Sequence, residues 1–291
     1  MIDYQVVKNW VFDDVRCVYT ACDSMLYALA IGLGAEPTDP YQLRYAYEKN
    51  LQAVPTMATI MGAPGAWWRD SRTGADAVKL VHGEQGLRLI RPLSVNGTLI
   101  AKNRVHSLSD KGEGRGAIGV VMRDLVDAET GELVAQSRNV SFLRGDGGFS
   151  AVSGISDPFP EPLPRMPEEP AHLTIQLSTL PQAALLYRLT GDLNPLHADP
   201  EVASAAGFRQ PILHGLCTYG MACHAVLRAV LRYDAARLRA LAVRFTAPVY
   251  PGEDVHFELW RVDAGTMRLR ARVNARNAIV LDNGVVEIDS Q

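Results

Sequence analysis

The sequence predicts an α+β fold in which an antiparallel sheet wraps a helix, built twice along the chain. Three observations carry this. Six prolines lie between Asp157 and Pro170 (DPFPEPLPRMPEEP), a density that excludes helix and sheet interiors and marks an extended connector. YALAIGLGAEPTDP (Tyr27 to Pro40) and YRLTGDLNPLHADP (Tyr187 to Pro200) share Tyr, Leu and a closing Asp-Pro at identical offsets, each with a Pro-led segment downstream, PTMATIM and PILHGLCTYGM. Strand-like runs then follow in both halves.

Taken in order, the first half offers EQGLRLIRPL, GTLIAKNRVHSLSD, GAIGVVMRDLVDA and ELVAQSRNVSFLRG as strands. GEGRGAIG has closely spaced glycines but precedes a strand-like run, so it reads as a hairpin turn and not as a nucleotide loop. In the second half, Leu213, Leu216, Gly220, Cys223, Leu227 and Val230 recur at helical spacing and predict a long helix with one buried stripe. LRALAVRFTAPVY, EDVHFELWRVDA, MRLRARVNARN and AIVLDNGVVEI complete the strands, punctuated by Pro251-Gly252. The expected domains are 1–152, a linker over 153–172, and 173–291.

Composition narrows the function. With 47% apolar residues and a formal charge of −3, the chain can bury a large core and has no general attraction for nucleic acid, so a phosphate-bearing ligand needs a local basic patch. Cys17, Cys22, Cys217 and Cys223 lack metal spacing and read as reduced thiols. The start MIDYQVVKNWVFDDV shows no basic leader, the longest apolar run (Met25 to Leu33) is too short to span a bilayer, and IDSQ carries no peroxisomal tripeptide. A cytoplasmic protein without a membrane partner is expected.

GDLNPLH places a carboxylate, Asp192, and an imidazole, His197, on either side of Asn194-Pro195, a turn that can aim both at one point. A carboxylate and a neutral imidazole meeting on one water suit proton transfer near neutral pH. An ordinary Asx turn with a surface histidine explains the same residues. Downstream, HGLCTYG opens the long helix, where Gly215 lets a ligand approach unpaired N–H groups able to hold a developing oxyanion; a glycine needed for tight packing is the alternative.

YRLTGDLNPLHADPEVASAAGFRQPILHGLCTYG resembles the hydratase 2 motif of the MaoC-like (R)-specific enoyl-CoA hydratases, including the hydratase part of peroxisomal multifunctional enzyme type 2. MLYALAIGLGAEPTDPYQLRYAYE, VKLVHGEQGLRLIRPL and VRFTAPVYPGEDV extend the resemblance over nearly the whole chain. It implies a double hot-dog fold, with Asp192 and His197 holding the catalytic water, Asn194 supporting them and the Gly215 N–H facing the thioester oxygen. It also implies acyl-CoA contacts from His82, Gly83, Lys111 and Phe245, with Glu48 as a further candidate. Ordinary structural roles exist for each: a strand-end turn, a solvated loop lysine, a core aromatic and a structural carboxylate.

Aligning the two copies sets Gly32 opposite Asp192 and Pro37 opposite His197, so one active site per chain is expected. By the family pattern the first half lacks most of its central helix and yields that space to a medium or long acyl tail; APGAWWRDSRTGADAV agrees. Histidine spacing suggests no metal, and hydration of a polarised thioester implies no cofactor. The expected partner is an acyl-CoA, with pairing into a homodimer. Another MaoC-like lyase, a non-catalytic acyl-CoA binder and a thioesterase are the rival readings.

Overall fold

The computed structural model describes residues 1–289. The first half supplies β1 (Val15–Tyr19), β2 (Leu80–Leu89), β3 (Gly97–Asp110), β4 (Ala117–Asp127) and β5 (Leu133–Leu143). The second supplies β6 (Leu173–Ser178), β7 (Leu238–Phe245), β8 (Asp254–Arg261), β9 (Thr266–Val273) and β10 (Ala278–Ile288). They form one ten-stranded sheet in the order β1-β3-β4-β5-β2-β7-β10-β9-β8-β6. Counted inward from each edge the order is the same, so the halves are topological copies joined through the antiparallel β2–β7 pair. This is the double hot-dog arrangement.

Among the described residues seven α-helices accompany the sheet: α1 (Tyr4–Lys8), α2 (Ala21–Ala30), α3 (Pro40–Ala46), α4 (Ser150–Ser153), α5 (Ala183–Tyr187), α6 (Pro200–Ala205) and α7 (Gly215–Ala229). The shared Asp-Pro does the same work in both copies. Asp39 caps α3 and Asp199 caps α6, each side chain accepting backbone N–H bonds, with Pro40 and Pro200 at the first helical position. Tyr27 and Tyr187, the paired tyrosines of the repeat, are both fully buried with ring centroids 6.1 Å apart.

The long helix is buried more completely than a single stripe implies. Every residue from Cys217 to Leu227 is buried, because α7 is enclosed by its own sheet on one side and by the end of α2 on the other. Gly220 makes this possible: a Cβ there would lie 2.5 Å from Ile31 Cγ2 and 2.9 Å from the Tyr27 hydroxyl. The first half has only a buried 3₁₀ turn at Pro55–Thr59 in the corresponding Pro-led segment.

The stretch APGAWWRDSRTGADAV forms no α-helix but does not leave its surroundings open. Trp67 and Trp68 are buried in a second apolar cluster with Leu108, Val121 and Leu143, and Trp68 covers Gly119. Edge strands β1 and β6 are absent from the sequence reading, because short and largely exposed strands leave little alternation to detect. Between Ser153 and Leu173 the chain has no helix or strand and is tied to the sheet at intervals. Asp157 accepts bonds from Tyr4, Lys8 and the Leu108 N–H, and Trp260 Nε1 donates to the Glu169 carbonyl.

Candidate active site

Two chained Asx turns shape the GDLNPLH segment. Asp192 Oδ1 accepts the Asn194 N–H at 3.1 Å, and Asn194 Oδ1 accepts the Leu196 N–H at 3.1 Å, capping the 3₁₀ turn Pro195–His197. The turn leaves Asp192 exposed and carries His197 inward to 8% exposure. His197 Nδ1 lies 2.8 Å from the Ile212 carbonyl, which can only accept, so the proton sits on Nδ1 and Nε2 keeps a lone pair. Burial pushes the imidazole below its ordinary range, opposed in part by the Ile212 carbonyl and Asp192, and keeps it neutral.

His214, immediately before α7, completes the cluster. It is 1% exposed, its ring stacks on His197 with centroids 3.8 Å apart, and Nε2 donates to the Asp192 backbone carbonyl at 3.1 Å. Burial first, and the neighbouring His197 second, push it to about 4. Among the described residues its buried Nδ1 has no partner, and the Tyr187 ring, whose hydroxyl likewise has none, lies 4.9 Å away. Sequence reasoning used only the glycine of PILHG; the histidine beside it was the signal available.

Asp192, His197 and His214 each bring one ligand-capable atom within 4.8 Å of the others. As a metal site the set fits poorly. The two imidazole planes lie only 28° apart and face to face, so their free lone pairs do not converge on one point as a tetrahedral ion requires.

The first turn of α7 supplies donors. Cys217 and Thr218 donate back to the His214 carbonyl, whereas the Gly215 and Leu216 N–H groups have no acceptor among the described residues. A Cβ on Gly215 would meet the Phe245 ring at 3.3 Å, so the glycine allows β7 to close against the helix start. The Phe245 ring in turn lies 4.8 Å from that of His82.

His82 and Gly83 lie within β2 and not at its end. The register against β5 shifts between His82 and Glu84, which makes Gly83 the extra residue of a bulge that re-aims His82. His82 Nε2 sits 3.1 Å from the Glu84 carbonyl and 2.8 Å from Asn139 Nδ2. Burial lowers its pKa to about 4, opposed by the Glu84 carbonyl and more weakly by Gln85 and Asp192, with Arg123 lowering it as well. Residues from both halves thus meet at one place. Lys111 follows β3 half-buried, its Nζ 4.7 Å from the Phe142 ring centroid, and Phe142 is the cross-strand partner of Val81. Glu48 lies in an exposed bend after α3 and makes no hydrogen bond or ion pair to these residues among those described.

Comparison with known proteins gives a consistent result over the whole chain. Residues 18–145 match the MFE-2 hydratase 2 N-terminal domain and residues 163–283 match the MaoC like domain. The chain is 38% identical to 3-hydroxyacyl-thioester dehydratase Y of Mycobacterium tuberculosis over 92% of both chains. It is 35% identical to the peroxisomal enoyl-CoA hydratase 2 of Arabidopsis thaliana over 94% of this chain and 92% of that one. Among solved structures, a MaoC-like dehydratase from Phytophthora capsici covers 100% of both chains with a TM-score of 0.86 at 29% identity.

Proposed function

The chain belongs to the MaoC-like hydratase 2 family, and on that premise we propose that it adds water reversibly across a trans-2-enoyl-CoA to give the (3R)-3-hydroxyacyl-CoA. The observation that carries this reading is the approach of the exposed Asp192 carboxylate and the buried, neutral His197 to one point beside the open start of α7. Between them, Asp192 and His197 hold a water, take a proton as its oxygen bonds to C3, and return a proton to C2. The Gly215 N–H accepts the charge that builds on the thioester oxygen. Asn194 holds the turn that sets the spacing of the pair. His82, Gly83, Lys111 and Phe245 border the thioester and CoA, with Glu48 as a more distant candidate whose exposed position gives it least support.

The first half, 1–152, takes the acyl tail and the second half, 173–291, carries the chemistry, with 153–172 as the connector. The short turn at Pro55–Thr59, in place of a second long helix, supports room for medium or long chains. No helix among the described residues is long and apolar enough to cross a membrane. The deciding experiment follows loss of enoyl absorbance across a series of trans-2-enoyl-CoAs and determines the chirality of the product. Turnover to the (3R) alcohol is expected; an (S) product, or release of free CoA thiol without hydration, overturns the reading.

A further inference from the structure

On the inner face of the first half, a polar band interrupts the apolar surface. Along β4 the inward positions are Val121, Arg123 and Leu125, and Arg123 is only 5% exposed. Its cross-strand partners are Asn103 on β3 and Ser137 on β5. From Ser137 the band continues to Gln85, whose Nε2 donates to the Ser137 hydroxyl at 2.9 Å, and to Asn139, the partner of Gln85, which contacts His82. Two separate apolar clusters flank it, one holding Leu125 and Ala101 and the other Val121 and Trp68. The band therefore leads from the candidate active site into the half proposed to take the acyl tail.

Arg123 is the unusual member. Nε donates to Asn103 Oδ1 at 3.1 Å, and Nη1 donates to the Thr59 and Met61 carbonyls at 3.0 and 2.7 Å. That staples the short turn to the sheet but employs only three of five N–H groups. Nη2 has no acceptor, and no carboxylate is within ion-pair distance of the guanidinium, among the described residues. Tying down a turn needs no net charge, and a buried cation without a counter-charge is costly. Asn103, Val105 and Ile60 beside it are half-buried, so this part of the band is not closed over.

We propose that Arg123 receives a carboxylate at the far end of the acyl group, making the preferred substrate a 2-enoyl-CoA whose chain is itself ω-carboxylated. This rests on the hydratase reading above. The free N–H groups of Nη2, carrying the full positive charge, suit a carboxylate better than any apolar terminus, and the polar side chains of Asn103, Ser137 and Gln85 adjoin it. The methyl end of a simple fatty chain would leave the charge unpaired and displace water from the polar row.

The test compares three substrates of equal length, about eight to twelve carbons given that β4 lies two strands, roughly 10 Å, from β2. They end in a methyl group, a carboxylate and the methyl ester of that carboxylate. The full-length protein should favour the carboxylate over the methyl end by about 10- to 100-fold in kcat/KM, the range of a charged hydrogen bond, and the ester should lose that advantage. Arg123→Met should bring the carboxylate-to-methyl ratio to one or below, and Arg123→Lys should keep a reduced preference. A wild-type ratio near one, or a ratio that survives in folded Arg123→Met, overturns the proposal. Should Arg123→Met fail to fold, the ester comparison on the wild type decides by itself. Absence of hydration with all three substrates overturns the hydratase reading and this proposal with it, whereas good turnover of the methyl-ended chain alone overturns only the latter.

Discussion

The inner faces of β4 and β9 occupy equivalent places in the two halves, yet they are built from different chemistry. On β9 the buried residues are Met267, Leu269, Ala271 and Val273, and every buried side chain of β7, β8 and β10 is likewise apolar. The inner face of the first half instead buries Gln85, Arg123, Ser137 and Ser141. The difference follows from what covers each face. A fifteen-residue helix, buried nearly all round, demands an apolar surface beneath it. A 3₁₀ turn of five residues covers far less of the sheet, and its carbonyls and those just after it are met by Arg123. The two halves thus share one strand order while differing in what packs on the inner face.

The largest test of this division is loss of the residues that only the second copy possesses. Asp192→Asn and His197→Gln should each reduce turnover by about 10²- to 10⁴-fold, the usual share of positioned acid–base groups. Steady-state rates on folded variants measure it, and near wild-type turnover in either would remove the assignment of chemistry to the second half.

A broader effect comes from the histidines gathered where the halves meet. Burial holds His82, His214 and His224 at about 4, against about 6.5 when exposed, and His224 Nδ1 lies 3.4 Å from the Ile31 carbonyl of the first half. Between those values the unfolded chain binds more protons than the folded one. Stability is therefore fully present above about pH 6.5 and is lost as the pH falls toward 4. Urea midpoints recorded at intervals across that window should decline steadily; a flat profile would mean these rings are not held neutral at the seam.

Smaller still is the effect of closing the gap between α2 and α7. Gly220→Ala places a methyl group 2.5 Å from Ile31 Cγ2. The overpacking costs about 1–3 kcal/mol, offset by up to about 1 kcal/mol of helix propensity. A fall of a few degrees in Tm is expected. An unchanged or raised Tm would show that the second copy's helix is less tightly held than its burial indicates.

The local features were legible because their causes are local. Alternation along AIVLDNGVVEI and GTLIAKNRVHSLSD matched strands with the same bounds, β10 from Ala278 to Ile288 and β3 from Gly97 to Asp110. The Asp-Pro pairs that marked the repeat lie at two helix starts, and Gly112, Gly114 and Gly116 of GEGRGAIG fall between the paired strands β3 and β4. Asp192 and His197 could be singled out since one turn holds both. The structural alternative for His82 and Gly83, a strand-end turn, differs from the bulge found within β2, which cannot be seen without the partner strand that defines its register.

What the sequence by itself determined was the pair of copies, eight of the ten strands, the long helix and the segment carrying the candidate dyad, each of which shows in patterns among residues close along the chain. The tertiary structure decided what lies across strands and between halves. It stacked His214 on His197, brought His82 of the first copy against Phe245 of the second, and set Arg123 in a polar band with no carboxylate within ion-pair distance among the described residues. In the sequence Arg123 is one charged residue in VVMRDLV, next to an aspartate that pairs with Arg104 and Gln136 instead. Only the pleat and the register of the neighbouring strands turn it inward and leave its charge unbalanced.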